Sequence, residues 1–508
     1  MEQKRFIINI SSNIIAFIVN VLANFLLTPF LIELMNTEAY SFYPLANDFV
    51  EYATIFTIAI NSVAARFVSV EYHRGNMESA KNYFSSIILA NSFLGMIMMA
   101  ISAIIITNLQ NLITIPDYLV VDVKWLFALV FLTFIINLVS VALGVCTIVR
   151  NRLELTSIRK MESTFVQFSV VFALLFLLPP SIKYIGVGTV TAATFVLITN
   201  IFYVKKLLPG FTVTRKRFNM SCIRDVFTLG MWNSFNKLST ILFTGFNVLL
   251  ANIYLSPKIA GEFSVARTFP NFIIVLLATI VTVFVPKVFE LYARKDSEAL
   301  LSEVILSTKV VAIIVNIPVA ILIVVSREFF SLWVPGEDNH LLASISILLL
   351  VPIAFDCCVE VYKNVFTAHN KLKTPAVVFS VLGAVNIISM VIILKFDIGM
   401  GVYALVIPTL IVRTIYDLLF VIPYACKCLK CRITIIMEQV IRNMLMMSIV
   451  VLAGILINQV FYANTWVLLL LKCCSIGFIG LIVSWLIVLD SVSRKKIKIM
   501  LKTKSIDA

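Results

Sequence analysis

Apolar residues in this chain run in long unbroken blocks rather than in alternation or in narrow stripes. From Thr268 to Pro286 no residue in nineteen positions is charged, and about twenty apolar residues are what an α-helix needs to cross the roughly 30 Å hydrocarbon core of a bilayer. Fourteen such blocks follow one another between short polar breaks: 6–32, 45–70, 84–106, 120–146, 163–178, 184–204, 226–255, 261–288, 304–325, 341–366, 375–394, 399–422, 440–462 and 466–489. Continuous runs of this length exclude a transmembrane β-barrel, whose strands are short and alternating. The predicted fold class is all-α, a polytopic membrane protein with 14 transmembrane helices. The first block follows Lys4 and Arg5 as the core of a signal peptide would, but it continues to Leu34 without a small-residue cleavage site, so it is read as a retained first helix.

The polar breaks sort by charge. With the N-terminus placed in the cytoplasm, thirty of the 41 lysines and arginines fall on the cytoplasmic side and five on the other. A miscounted helix would scramble that bias, so both termini are expected in the cytoplasm. Composition agrees, with 60% hydrophobic and 13% charged residues where soluble proteins carry about 25% charged. The net charge of +14 is accounted for by topology and anionic lipid, and no nucleic-acid partner is needed to explain it.

A shift of about 220 residues brings one half of the chain onto the other. It pairs Asn13 with Asn233, Ala39 and Phe42 with Ala260 and Phe263, and Arg66 with Lys287. Asn151-Arg152-Leu153 pairs with Asn370-Lys371-Leu372, and Ile185-Gly186-Val187-Gly188 with Ile398-Gly399-Met400-Gly401, the last at an offset of 213. The expected organisation is two pseudo-symmetric six-helix lobes, 1–212 and 213–430, followed by 431–508 with two C-terminal helices and a basic tail. Because six is even, both lobes enter the membrane in the same direction, an arrangement used by alternating-access transporters. The substrate path is expected between the lobes, with the first and seventh helices facing one another.

Those two helices carry polar stripes. At 100° per residue Asn9, Asn13, Asn20 and Asn24 share one face of the first, and Asn233, Asn236, Lys237, Thr240, Thr244 and Asn247 share one face of the seventh. Amides in membrane helices either bind helices together or line a wet path; two matched stripes favour the path. Lys237, about eleven residues into its span, is too deep to snorkel easily. Arg267, six residues into the eighth span, is either a snorkelling or ion-paired arginine or a ligand for an anionic substrate. Arg413 and Asp417 stand four apart as a neutralising pair, and Asp356, Glu360 and Lys363 follow one face of the tenth span. The acidic members Asp356, Glu360 and Asp417 belong either to a structural ion-pair network or to a proton or sodium relay. Asp48, Glu51 and Lys309 lie near span ends, where interfacial water suffices for them, and Lys472 has no evident role.

No cofactor or metal site is expected. The three histidines, His73, His340 and His369, are far apart, and there is no nucleotide-binding glycine loop. Transport is then passive or driven by an H+ or Na+ gradient. Cys426, Cys428 and Cys431 in a basic loop have no nearby histidine to complete a zinc site and are expected to be reduced or lipidated.

Fourteen helices as six, six and two, the Ala-Arg-x-x-Pro run at Ala266 to Pro270 with a second proline at Pro286, the Asn-x-Leu turns and the I-G-x-G pairs together resemble the polysaccharide-unit flippases. These are the O-antigen and capsule transporters of the multidrug/oligosaccharidyl-lipid/polysaccharide exporter superfamily. The resemblance implies a multi-pass protein of the bacterial plasma membrane, not an enzyme, that moves undecaprenyl-pyrophosphate-linked oligosaccharides to the outer leaflet for surface polysaccharide biosynthesis. It implies as partners the lipid-linked oligosaccharide, membrane lipid, and the polymerase and glycosyltransferases of the same pathway. The eighth span is also similar to that of lipid II flippases, which implies a cavity role for Arg267. Their cationic residues in helices 1 and 2 are missing here, where asparagines, Asp48 and Glu51 stand instead. Two other readings stay open: an ion-coupled multidrug/toxin antiporter, and a membrane-embedded polymerase or glycosyltransferase.

Overall fold

The computed structural model describes the backbone of residues 2–491, 493 and 494, and the side chains of these except 2–11, 13 and 14. The side chain of Asn13 and the tail with Lys502 are outside the described residues. The described chain is mostly helical, with short turns and loops, and contains no strand. Thirteen of its helical segments are long and apolar enough to cross a membrane.

The first six spans are α1 (Glu2–Tyr40), α2 (Phe42–His73), α3 (Met77–Thr107), after the short α4 (Leu109–Leu112) α5 (Val120–Val149), then α6 (Leu153–Leu177) and α7 (Lys183–Leu207). The seventh predicted span is less apolar and is broken, into α8 (Met220–Thr244) and α9 (Asn247–Tyr254). The break is held from α2: Tyr52 donates its hydroxyl to the Gly245 carbonyl at 2.6 Å and stacks on Phe246 with centroids 4.8 Å apart.

The eighth span is α10 (Pro257–Ala266) and α11 (Thr268–Ala293), interrupted at Arg267 itself. Then come α12 (Ser297–Trp333), α13 (Asn339–Asp356), α14 (Glu360–Ala368), α15 (Lys373–Lys395), α16 (Ile407–Ile415), α17 (Ile422–Leu429), α18 (Ile433–Val460) and α19 (Trp466–Ile487). The tenth span, expected as one helix, is broken at Cys357–Val359 between α13 and α14. The twelfth starts with a 3-10 turn, Gly401–Leu405, and carries a π-helical turn, Tyr416–Val421, between α16 and α17.

Packing divides the chain into two compact units, Met1–Gly261 and Glu262–Ala508. The division falls later than residue 212 because α8, which the repeat assigns to the second half, lies along α2. They come close at Gly230, where an added Cβ would sit 1.8 Å from the Ala59 carbonyl oxygen. Elsewhere in the first unit α1 packs on α6, and α5 on α2, α3 and α7. In the second unit α12 is the central helix, touching α11, α13, α14, α18 and α19. Its apolar face, including Val304, Val311, Val315 and Val319, is fully buried. Two ion pairs join α12 to the C-terminal helix region: Lys309 to Asp490 at 2.9 Å and Glu328 to Lys472 at 2.7 Å. Lys309 is therefore paired and buried rather than solvated, and Lys472 acquires a role.

The repeat is written into the turns. Left-handed residues Gly75 and Lys295, at φ 82° and 57°, follow equivalent helices. Each turn closes with the same long bond, Asn76 N–H to the Glu71 carbonyl and Asp296 N–H to the Leu291 carbonyl. Asn151 and Asn370 are left-handed at φ 50° and 54°, as are Gly210 and Lys430 at 82° and 53°. The I-G-x-G match is not of this kind. Gly186 and Gly188 sit inside α7, where a Cβ would meet Leu129 at 2.7 Å and Val171 at 2.5 Å, so they permit close packing. Gly399 and Gly401 have φ of 73° and 51° with open space around them, so they permit a turn.

Candidate functional site: embedded ion pairs and a polar helix face

In the first unit the polar face of α8 meets α2 through a ladder of side chains. Asn233 Nδ2 donates to Ser62 Oγ at 2.9 Å, Ser234 Oγ to the Ile55 carbonyl at 2.9 Å, and Lys237 Nζ to Glu51 Oε1 at 2.5 Å. Positions 233 and 237 are one helical turn apart, and so share the α2-facing edge. Glu51, expected to be satisfied by interfacial water, is instead the counter-ion of Lys237. Both are partly open, with side chains 25% and 37% exposed for Lys237 and Glu51, which leaves the pair within reach of water or a ligand.

The rest of the stripe divides. Asn236 and Thr240 are exposed and Thr244 is half-buried. The two threonine hydroxyls donate back to the Asn236 and Thr240 carbonyls at 3.1 Å. Asn247 lies beyond the break, buried in α9. On α1, Asn20 and Asn24 are half-buried, and Asn24 Nδ2 donates to the Asn20 carbonyl at 2.8 Å. Amides and hydroxyls whose bonds close within their own helix can rotate outward to a ligand without leaving a partner helix unsatisfied.

Arg267 is a turn residue rather than a mid-helix one, half-buried between α10 and α11. Its amide donates to the Phe263 carbonyl and its carbonyl accepts from Asn271, both at 3.0 Å. Because α10 begins at Pro257, ten residues precede it, roughly 15 Å of helix.

In the second unit five ionisable groups converge. Arg413 pairs with Asp356. Lys363 lies 3.4 Å from Asp356, 2.6 Å from Glu360 and 3.7 Å from Asp417. The expected Arg413–Asp417 pair is thus replaced. The π-helical turn beginning at Tyr416 interrupts the 3.6-residue spacing on which i, i+4 pairing depends, and Asp356 takes the guanidinium. The break in the tenth span leaves Lys363 on α14 bridging back to α13. Three carboxylates against two cations leave one formal negative charge. Asp356 and Asp417 have side chains only 3% and 0% exposed, whereas Arg413 and Lys363 are 20% and 27% exposed. The two aspartates are sealed in, whereas the bases and Glu360, 33% exposed, reach outward. Of the three cysteines near the basic loop, Cys426 and Cys428 are free thiols buried in α17 and Cys431 is a partly exposed free thiol, which leaves the reduced form for the first two.

Sequence reasoning located the embedded cations and the face shared by Asp356, Glu360 and Lys363, but missed Glu51 as the neighbour of Lys237 and Asp356 as that of Arg413. The available signal was sign: an acid in one apolar span needs a base in another.

A helical membrane bundle with ion pairs set into its spans is the class these features define. Residues 6–292 match the family described as "Polysaccharide biosynthesis protein". That is more than half of the chain, which belongs to this family and is a multi-pass membrane protein. It is 27% identical over 391 residues, 76% of each chain, to the "Uncharacterized membrane protein EpsK" of Bacillus subtilis (strain 168). Among solved structures it is similar to the lipid II flippase MurJ in an inward closed conformation, at TM-score 0.66 and 14% identity, covering 94% of this chain and 98% of that one. It is also similar to an inward-facing multidrug resistance MATE transporter, at TM-score 0.65 and 12% identity, covering 84% and 98%. At these identities the likeness is one of fold.

Proposed function

We propose that this protein is a flippase, not an enzyme, which carries undecaprenyl-pyrophosphate-linked oligosaccharide repeat units from the cytoplasmic to the outer leaflet of the bacterial plasma membrane. Glycosyltransferases supply the substrate and a polymerase consumes it, in the assembly of an O-antigen or capsule. The observation that carries this reading is the Lys237–Glu51 pair beside the exposed Asn236 and Thr240, in a chain of the polysaccharide biosynthesis family. A pyrophosphate must shed hydration to pass between leaflets, and fixed cations replace part of it where the dielectric is low.

Here the cation is stored against a carboxylate. Substrate binding exchanges Glu51 for pyrophosphate on Lys237, with Arg267 and Arg413 as further cationic groups. The amides of Asn13, Asn20, Asn24 and Asn233 and the hydroxyls of Thr240 and Thr244 take up sugar hydroxyls, while the buried Asn247 is left out of that set. Exchange of one partner for another keeps binding loose enough for release, as alternating access requires. Coupling to an H+ or Na+ gradient runs through Asp356, Glu360 and Asp417, whose excess over Lys363 and Arg413 leaves one charge for a proton or sodium ion to neutralise.

A leaflet-resolved assay of lipid-linked oligosaccharide, in cells holding each variant at matched protein level, tests the reading. R267A and K237A should each lower translocation, and R267K should fall between R267A and wild type if the planar guanidinium fork matters. Full activity in the R267A/K237A double variant would remove the site.

A further inference from the structure

A recess of about 450 Å³ opens in the second unit where the turns after α11, α14 and α17 converge. Lys295, Lys371, Lys427 and Lys430 line it. Asp296 is the one carboxylate among its described lining residues, and its Oδ1 is engaged as the α12 cap, accepting from the Ala299 amide at 3.0 Å. Tyr292 and His369 form one wall with ring centroids 4.5 Å apart. His369 Nδ1 faces the Val365 carbonyl at 2.9 Å, so it is the donor and Nε2 is left for another partner.

A general excess of basic residues in these loops accounts for lysines somewhere near this end of the unit, but not for these positions. Lys295 and Lys430 both occupy left-handed backbone, at φ 57° and 53°, whereas their repeat partners 220 residues earlier are Gly75 and Gly210, each at φ 82°. Glycine takes that conformation without strain and a lysine does not. Both substitutions of lysine for glycine line the same recess. The neighbouring position changes as well. In the first unit Phe211 packs 6.2 Å from Tyr72 and 5.6 Å from Phe84. The counterparts are Cys431, Tyr292 and Val304: an aromatic plug is exchanged for a thiol and a ring for a smaller side chain. Strained lysines and a missing plug together convert a packed corner into a basic concavity of ligand size.

We infer that this recess binds a phosphate-bearing anion, from an anionic phospholipid headgroup or a soluble phosphorylated molecule, through Lys295, Lys371, Lys427 and Lys430. Lysine ammoniums on flexible stems suit a phosphate approached from several sides, as compact point charges rather than planar forks. The groups lie at helix ends and none of them is Lys237, Arg267 or Arg413, so this inference and the transport reading stand or fall separately.

The test uses the full chain purified in neutral detergent, with thermal unfolding followed at fixed ionic strength. One arm titrates inorganic pyrophosphate, the other short-chain phosphatidylglycerol with phosphatidylcholine as reference. Wild type should gain Tm in at least one arm, with a gain that shrinks as salt rises. A response to pyrophosphate alone assigns a soluble ligand, to phosphatidylglycerol alone a lipid headgroup, and to both the phosphate group itself. K295G/K430G returns glycine to left-handed positions and so should fold with an unliganded Tm at or above wild type, yet need about tenfold more ligand for half its shift, a difference of ~1.4 kcal/mol. K371Q/K427Q, which leaves the backbone alone, should weaken the response in the same arm. No shift of wild type in either arm, or an unchanged half-saturation in K295G/K430G, overturns the site.

Discussion

Lys237 on α8 and Glu51 on α2 are 186 residues apart in sequence and 2.5 Å apart in space. Each sits in a helix of its own, well inside it, and each is the nearest explanation for the other. If the pair only holds the helices together, the charge-reversed E51K/K237E protein should behave as wild type. If the lysine meets an anionic substrate, that variant should keep abundance and Tm while losing translocation. Breaking the pair as E51Q should lower stability by roughly 1 kcal/mol, less than the 3–5 of a sealed pair because both groups are partly exposed. Detergent-phase unfolding and the leaflet assay, read together, separate these outcomes.

Gly230 should be intolerant of any side chain. An added Cβ would be 1.8 Å from the Ala59 carbonyl oxygen, and a backbone atom cannot swing aside as a side-chain tip can. G230L should therefore push α8 off α2 and lower stability by about 1–3 kcal/mol or more. A cysteine pair at Ser62 and Asn233, whose side chains are hydrogen-bonded across the α2–α8 contact in the native protein, should be bridged by a short bifunctional thiol reagent in the parent and poorly in G230L.

Lys472 and Glu328 are sealed, with side chains 0% and 2% exposed. Lys472 also donates to the Phe461 carbonyl at 3.1 Å, and Glu328 accepts from the Ala463 amide. K472M alone strands a buried carboxylate and should lose roughly 3–5 kcal/mol, whereas K472M/E328L should recover most of that loss. Protein level and Tm provide the measurement. Translocation per molecule should be unchanged in the double variant, since neither group belongs to the proposed path.

Topology is tested by cysteine accessibility in intact and opened cells. Reporters at Lys216, Lys430 and Lys502 should react only from the cytoplasm, and those at Asn36, Asp117 and Glu337 from outside. An odd number of crossings between Lys216 and Lys430 would end the scheme of paired six-helix lobes.

Much of the fold was legible in the chain because its causes are local. A bilayer demands about twenty consecutive apolar residues per helix, and that demand is met or not within each segment. The result was an all-α polytopic protein with its spans in the right order. The repeat was legible for the same reason. Left-handed turns at Asn151 and Asn370 are set by the few residues around them, and they recur in the structure with matching bonds.

What tertiary structure decided is which buried charge meets which, and where the spans break. Arg413 and Asp417 satisfied the spacing rule, yet Asp356 holds Arg413, because the π-helical turn at Tyr416 changes the register. Glu51 looked interfacial until α8 was laid against it, and Gly245 ends α8 because Tyr52 of another helix takes its carbonyl. The I-G-x-G pairs show the limit most simply: the same letters serve helix contact at Gly186 and a left-handed turn at Gly399. Sequence by itself determined that these groups lie inside a membrane and must be satisfied. Their partners come from helices far apart in the chain, and periodicity along one helix carries no information about the face of another.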